Sequence, residues 1–163
     1  MLGSSVLKRA AMAPIASGVL LFVSILLIGM TVKPMHVPAG DTGAEVTVTE
    51  FARLKEHQYP WGWIRWTINA DIDPDAEMTF GVVFIKAQQQ NALHLHPNSA
   101  EYLHVVEGAC EHLVGSTWVK LKEGDTVRIP ANVHHRARTG AEPCRAVIVY
   151  NTGRREMVEV KED

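Results

Sequence analysis

Beyond its first 35 residues the sequence predicts an all-β fold, a single small barrel or sandwich. Three observations carry that reading. Apolar residues recur mainly with a period of two. Turn formers punctuate the chain at Pro97-Asn98, Glu107-Gly108, Gly115-Ser116, Glu123-Gly124-Asp125 and Gly140. Strands do not alternate with helices, as a parallel sheet would require. A chain of 163 residues with no internal repeat has room for one such barrel and not two.

The elements follow in order. From Ala10 to Val32 no residue is charged, and Lys8, Arg9 and Lys33 flank the run. A stretch of that length crosses the hydrocarbon core as a helix, with Pro14 and Gly18 weakening its first turns. The basic residues before it orient the N-terminus to the cytoplasm, so the remaining domain is expected on the other side. No small-x-small cleavage site follows the run. Residues 1–35 are therefore expected to be an N-terminal membrane anchor or an uncleaved signal. A translation start at Met30 or Met35 is the competing reading. Residues 36–60 read as linker and lead-in, with Pro34, Pro38, Gly40 and Gly43 marking the linker proper.

Glu45 to Glu50 alternates and is rich in Val and Thr. Phe51 to His57 is expected to form one or two helical turns. Residues 61–163 make up the expected barrel. Trp61 to Ile68 has strand composition, with Trp61, Trp63 and Arg65 on one face and Gly62, Ile64 and Trp66 on the other. Met78 to Lys86 is a near-continuous apolar run and reads as a central strand. Further strands are expected at 93–96, 101–107, 109–114, 117–121, 125–129, 134–139, 145–151 and 156–160.

Bulk chemistry narrows the function classes. A formal net charge of −2 gives no argument for nucleic acid. With 21% charged and 47% hydrophobic residues the composition is globular. Cys110 and Cys144, the two cysteines, either pair in an extracytoplasmic domain or serve as small core residues.

Eight histidines is a high count for this length, and their spacing carries the chemistry. His94 and His96 sit two apart on an expected strand, so both imidazoles face the same way. Glu101 follows a Pro97-Asn98 turn, which lets the next strand return a carboxylate beside them. His135 arrives from a separate strand. Three imidazoles and a carboxylate suit one divalent transition metal, Fe, Mn, Ni, Co, Cu or Zn. Four protein ligands on an ion that prefers six leave positions open for water or substrate.

These residues resemble the cupin superfamily, and in particular its small single-domain, type 2 members. His94-x-His96-x4-Glu101-x6-Gly108 is similar to the first cupin motif, and Gly124-x5-Pro130-x4-His135 to the second. The resemblance implies a jelly-roll barrel preceded here by the N-terminal hydrophobic helix, with metal ligands His94, His96, Glu101 and His135. Its spacing from Pro130 selects His135 over His134, whose side chain points the opposite way on a strand. Three positions depart from the family pattern. Gln88 and Gln89 stand where glycine is usual, Asn132 stands for glycine after Pro130, and Thr139 stands for an asparagine after the last His. Asn tolerates positive φ, so the turn at Asn132 can survive.

The resemblance further implies a metal-dependent enzyme of dioxygenase type acting on a small organic substrate, with lyase and isomerase chemistry sharing the same ligands. Glu101 is then the candidate catalytic base. The alternative is a non-catalytic module that captures a small molecule or the metal itself at the membrane surface. A homodimer with the Trp61–Trp66 strand near its contact is expected by analogy of fold. His104 has parity opposite to Glu101 and should face away from the metal. His36 and His57 are expected in solvent. Gln88 to Gln90 read as a solvated loop, and the sequence assigns no role to His112, Tyr102 or Arg128.

Overall fold

The computed structural model describes residues 34–38, 40 and 45–161. The apolar segment 10–32, expected to span a membrane, lies outside them. Among the described residues no helix is long and apolar enough to cross a membrane.

β1 (Met35–Pro38) and β2 (Glu45–Val48) form a separate antiparallel ribbon. Phe51–Arg53 make a single 3-10 turn, the shorter of the two lengths expected there. The remaining strands build one antiparallel sheet that curls into a half-barrel. They are β3 (Glu56–Tyr59), β4 (Gly62–Ile68), β5 (Thr79–Ile85), β6 (His94–Leu95) and β7 (Glu101–Val114). They continue as β8 (Thr117–Lys122), β9 (Thr126–Ile129), β10 (His135–Arg138), β11 (Cys144–Tyr150) and β12 (Val158–Glu159). Their order is β12-β6-β10-β7-β11-β5-β4-β3, with β8 and β9 each pairing with β7. The stretch 36–60, expected as linker and lead-in, thus holds strand residues of β1, β2 and β3, and β3 joins the sheet through β4.

The expected turn at Glu107-Gly108 is corrected: both residues lie inside one 14-residue strand, β7. Across from it, Arg145 pairs with Glu107 and Ala146 with Val105. Val106 is therefore an extra residue, a bulge that bends the strand. Gly108 takes φ 77°, and a Cβ there would lie 2.1 Å from the Pro143 carbonyl oxygen. Glycine is required, as its turn-like signal implied, but for a bend in a continuous strand. The extra residue also inverts parity. Glu101, Leu103 and Val105 are buried before it, Cys110 and His112 after it. The first half of β7 pairs with β9 and β11, the second with β8 and β10.

Val83, Ile85, Leu103, Val105, Ala146 and Ile148 form the apolar core, with Ile64 and Trp66 packed against it. Each fully buried Val, Leu or Ile contributes about 1.5–3 kcal/mol. Cys110 and Cys144 belong to this core and are both free, so the core-packing alternative holds. The bond with the Cys144 thiol, together with burial, raises Cys110 above the ordinary thiol value. Trp61 leaves the face assigned to it. It precedes β4, stacks on Tyr59 at 4.8 Å and packs toward the core. Trp63 stacks on Phe84 at 5.6 Å and takes the Arg65 guanidinium at 5.5 Å.

Candidate metal centre

Three strands, β6, β7 and β10, with the residue just past β6, deliver the candidate ligand side chains. β6 and β10 pair at a single position, His94 opposite His135, which brings those two rings together, tilted 54° to each other with centroids 4.3 Å apart. His96 follows just after β6. Its carbonyl accepts the Asn132 backbone N–H at 2.9 Å. Asn132 has φ 63°, the positive value its amide side chain was expected to tolerate. Gln88, which stands in another position usual for glycine, also has positive φ, 57°. Thr139 takes up a local bridging role: its hydroxyl donates to Lys86 O and accepts the Gln89 N–H at 3.2 Å. Both motif turns therefore keep their backbone shape with other residues.

His94, His96, Glu101 and His135 offer ligand atoms that all lie within 4.8 Å of one another. They are 8%, 2%, 4% and 1% exposed, so the cluster is an interior feature and not a surface coincidence. Each imidazole donates its Nδ1–H to a backbone carbonyl. His94 donates to Ala92 O at 2.8 Å, His96 to Glu156 O at 2.6 Å and His135 to Val133 O at 2.8 Å. Those bonds fix the tautomer and turn Nε2 inward as a lone-pair donor, as metal-binding histidines require. His96 Nε2 and His135 Nε2 lie 3.2 and 3.1 Å from Glu101 Oε2, and the Tyr150 hydroxyl donates to the same oxygen at 2.9 Å.

Lone pairs facing a carboxylate repel unless a proton or a cation stands between them. Protons answer part of this. Burial pulls His135 down, but the Glu101 bond and charge outweigh it, and its pKa is raised. Burial lowers His94 to about 4, with the neighbouring His135 adding to the effect. Burial also pushes Glu101 up, yet the bonds from His135 and His96 leave it well below the usual carboxylate value. Tyr150 is driven well above its ordinary value by burial and by the Glu101 charge. The donor set fits a divalent transition metal in place of those protons.

His104 faces out and bonds Thr126 Oγ1 at 2.9 Å, and His134 is exposed, both as expected. Tyr102 and Arg128 pair on the outer surface at 3.2 Å. Sequence reasoning missed three residues at the site. Tyr150 lies on β11 at inward parity, a signal available but unused. His112 is 2% exposed and lines the cavity, with no hydrogen-bond partner for its Nδ1 among the described residues. Burial lowers its pKa to about 4. Arg155 belongs to no motif and had no role assigned from the sequence; its guanidinium stands over Trp66 and Tyr150. A cavity of about 150 Å³ reaches His94 and Glu101 of the cluster, walled by Tyr59, Trp61, Ile64 and Trp66.

Residues 81–150 match the Cupin domain family. No curated protein matches the chain. Among solved structures it is similar to a Lactobacillus farciminis oxalate decarboxylase formate complex, with TM-score 0.64, 23% identity and 70% of this chain covered against 35% of that one. A point variant of Bacillus subtilis oxalate decarboxylase gives TM-score 0.65 at 16% identity, over 77% of this chain and 35% of its own. The coconut allergen cocosin gives TM-score 0.61 at 16% identity, over 71% and 32%. The chain thus spans about a third of the length of these proteins. At such identities the likeness concerns fold.

Proposed function

Since the chain belongs to the cupin superfamily, we propose that it is a metal-dependent enzyme acting on a small organic substrate. His94, His96, Glu101 and His135 hold one divalent transition metal. The observation that supports this is the set of three Nδ1–H bonds to backbone carbonyls, which leaves three imidazole lone pairs and one carboxylate aimed at a common point. When bound, such an ion supplies a Lewis acid for a substrate oxygen. Glu101 stays ionised and acts mainly as a ligand, held by the Tyr150 hydroxyl. The apolar wall of Trp61, Ile64 and Trp66 excludes water from the reacting side.

Dioxygenase-type turnover is the reading taken from the resemblance to small metal-dependent cupins. Lyase-type turnover draws support from the relatives, among them a Bacillus subtilis oxalate decarboxylase described by its Mn(II) centres. Oxygen uptake against carbon dioxide release separates the two. Metal analysis of the full chain purified without oxygen is the first test, with one ion per chain expected. Absence of any stoichiometric metal after reconstitution, or undiminished turnover in chelator, would sink the proposal.

A non-catalytic binding module is the second reading, supported by the cavity, which would serve capture as well as turnover. A metal-loaded chain that changes its spectrum with ligand but consumes nothing supports that reading. The uncharged run from Ala10 to Val32 supports holding the domain at a membrane, outside the cytoplasm. Fractionation of cells expressing the full chain tests this.

A further inference from the structure

The cavity that reaches His94 and Glu101 has an unusual rim. Arg155 lies in the segment between β11 and β12, fixed on both sides by Asn98. The Asn98 side chain donates to Arg154 O at 2.8 Å and accepts the Glu156 N–H at 3.0 Å. This clamp sets the intervening side chain over the cavity. The Arg155 guanidinium stacks 4.9 Å from the Trp66 ring centroid and 5.1 Å from that of Tyr150, with Nη1 3.4 Å from His96 Nδ1. Three arginines of the sheet find carboxylates: Arg65 pairs with Glu56, Arg138 with Glu111 and Arg145 with Glu107. Arg155 pairs with none among the described residues. It is only partly exposed and is braced by two aromatic rings, so its fork is ordered before any ligand arrives.

We infer that the cavity takes a small organic carboxylate with an apolar body, its carboxylate held by Arg155 at the rim and its body against the Tyr59–Trp61 wall. This rests on the metal-binding reading above and names its substrate class. Charge supports it. Three neutral imidazoles, one carboxylate and a divalent cation carry one net positive charge. Arg155 adds another and Glu159, which also lines the cavity, removes one. The charge that remains is cancelled by a single carboxylate. Size and lining set the rest of the class. About 150 Å³ is well under the roughly 300–1,000 Å³ of sites for drug-sized ligands. The lining includes Tyr59, Trp61, Ile64, Val83 and Ile148. The flat stack of Tyr59 on Trp61, interplanar angle 5°, offers its surface to a planar or branched body and supplies no cation for a second carboxylate.

The test is calorimetric titration of the full chain, both metal-free and loaded with Co(II), using benzoate, its neutral analogue benzamide, and oxalate. Co(II) stoichiometry is measured separately from its visible bands. Benzoate should bind about tenfold or more tighter than benzamide, as a charge-assisted contact requires, and tighter than oxalate. R155Q should bring the benzoate-to-benzamide ratio close to one while Co(II) stoichiometry stays as in the unmodified chain, and R155K should keep part of the preference. Equal binding of benzoate and benzamide by the unmodified chain overturns the inference, and needs no variant to fold. A preference unchanged in R155Q overturns the role of Arg155. Oxalate binding as tightly as benzoate overturns the apolar body. Failure of Co(II) to bind, with an Arg155-dependent benzoate preference intact in the metal-free chain, sinks the metal reading and leaves the anion subsite standing.

Discussion

Glu101 and His112 sit on the same strand, both almost fully buried and both facing the barrel interior, yet one is saturated with partners and the other is not. Glu101 Oε2 lies within reach of two imidazole nitrogens and accepts the Tyr150 hydroxyl. His112 Nδ1 has no partner among the described residues. Their ring and carboxylate environments share one neighbour, His135, whose ring centroid is 6.2 Å from that of His112. The difference separates two kinds of buried polar group. A group that completes a ligand set is held by charge and hydrogen bonds that offset its burial. A group left unpartnered keeps the desolvation cost, on the order of 1–3 kcal/mol, unless something else enters the cavity.

The largest expected effect breaks the saturated side. Glu101→Ala should lower bound metal from one ion per chain to essentially none, as measured by elemental analysis after dialysis. It also strips the Tyr150 hydroxyl and the raised His135 of their common acceptor. Urea melts of the metal-free protein should therefore show a loss of about 3–5 kcal/mol, the cost of breaking a buried pair from one side. Retention of full metal content would mean that the ion, if any, is held elsewhere.

His112→Phe sharpens the other side through its pH dependence. The His112 pKa is depressed to about 4 in the folded chain, below an unfolded value of 6.5. Its neutral form therefore stabilises the fold fully above pH 6.5, and that contribution is lost as pH falls toward 4. His94, also near 4, acts with the same sign. His135 is raised and acts with the opposite sign, its contribution being full below pH 6.5 and lost as pH rises through its folded value. Between pH 7 and pH 4 the metal-free His112→Phe chain should lose less stability than the unmodified one, by on the order of 3 kcal/mol. At pH 7 the two should differ by about 1 kcal/mol or less, since the substitution removes an unpartnered nitrogen. Parallel pH profiles would show that the His112 ring is hydrated in solution.

Between these two residues lies the bulge, and it explains what the sequence could and could not reveal. The four-residue cluster was legible because His94, His96 and Glu101 lie within eight residues around one turn, and the motif spacing from Pro130 singled out His135. His112 was not placed because the extra residue Val106 inverts parity within one strand, and nothing in local composition marks a bulge apart from a turn. The Gly108 signal was seen and misread for that reason. Arg155 was missed on different grounds: it belongs to no motif, and the long-range Asn98 clamp is what brings its side chain over Trp66. Gly108→Ala tests the bulge itself. Its φ of 77° and the Pro143 oxygen 2.1 Å from a new Cβ predict a loss of about 2–3 kcal/mol in urea melts. Gly115→Ala, with φ 61° and nothing within 4 Å, should cost only about 1 kcal/mol. Equal losses would assign the whole effect to backbone conformation and none to the close approach.

The smallest expected effect lies at Asn132, where the family's glycine has been replaced without loss of shape. Its φ of 63° lets its N–H reach the His96 carbonyl at 2.9 Å, which helps set the chain segment that carries the His96 ring. The side chain adds little, since its amide is 3.4 Å from Pro97 O and exposed. Asn132→Gly removes that side chain and permits the same φ, so stability should move by about 0.5 kcal/mol or less, with metal affinity unchanged. Asn132→Val keeps a side chain but disfavours positive φ, and should cost about 1–2 kcal/mol. If the backbone bond to His96 orients the ligand, Asn132→Val should also weaken Co(II) binding in equilibrium dialysis. Weakened stability with unaltered Co(II) affinity would confine the turn to folding and leave His96 oriented by its own Nδ1 bond to Glu156 O alone.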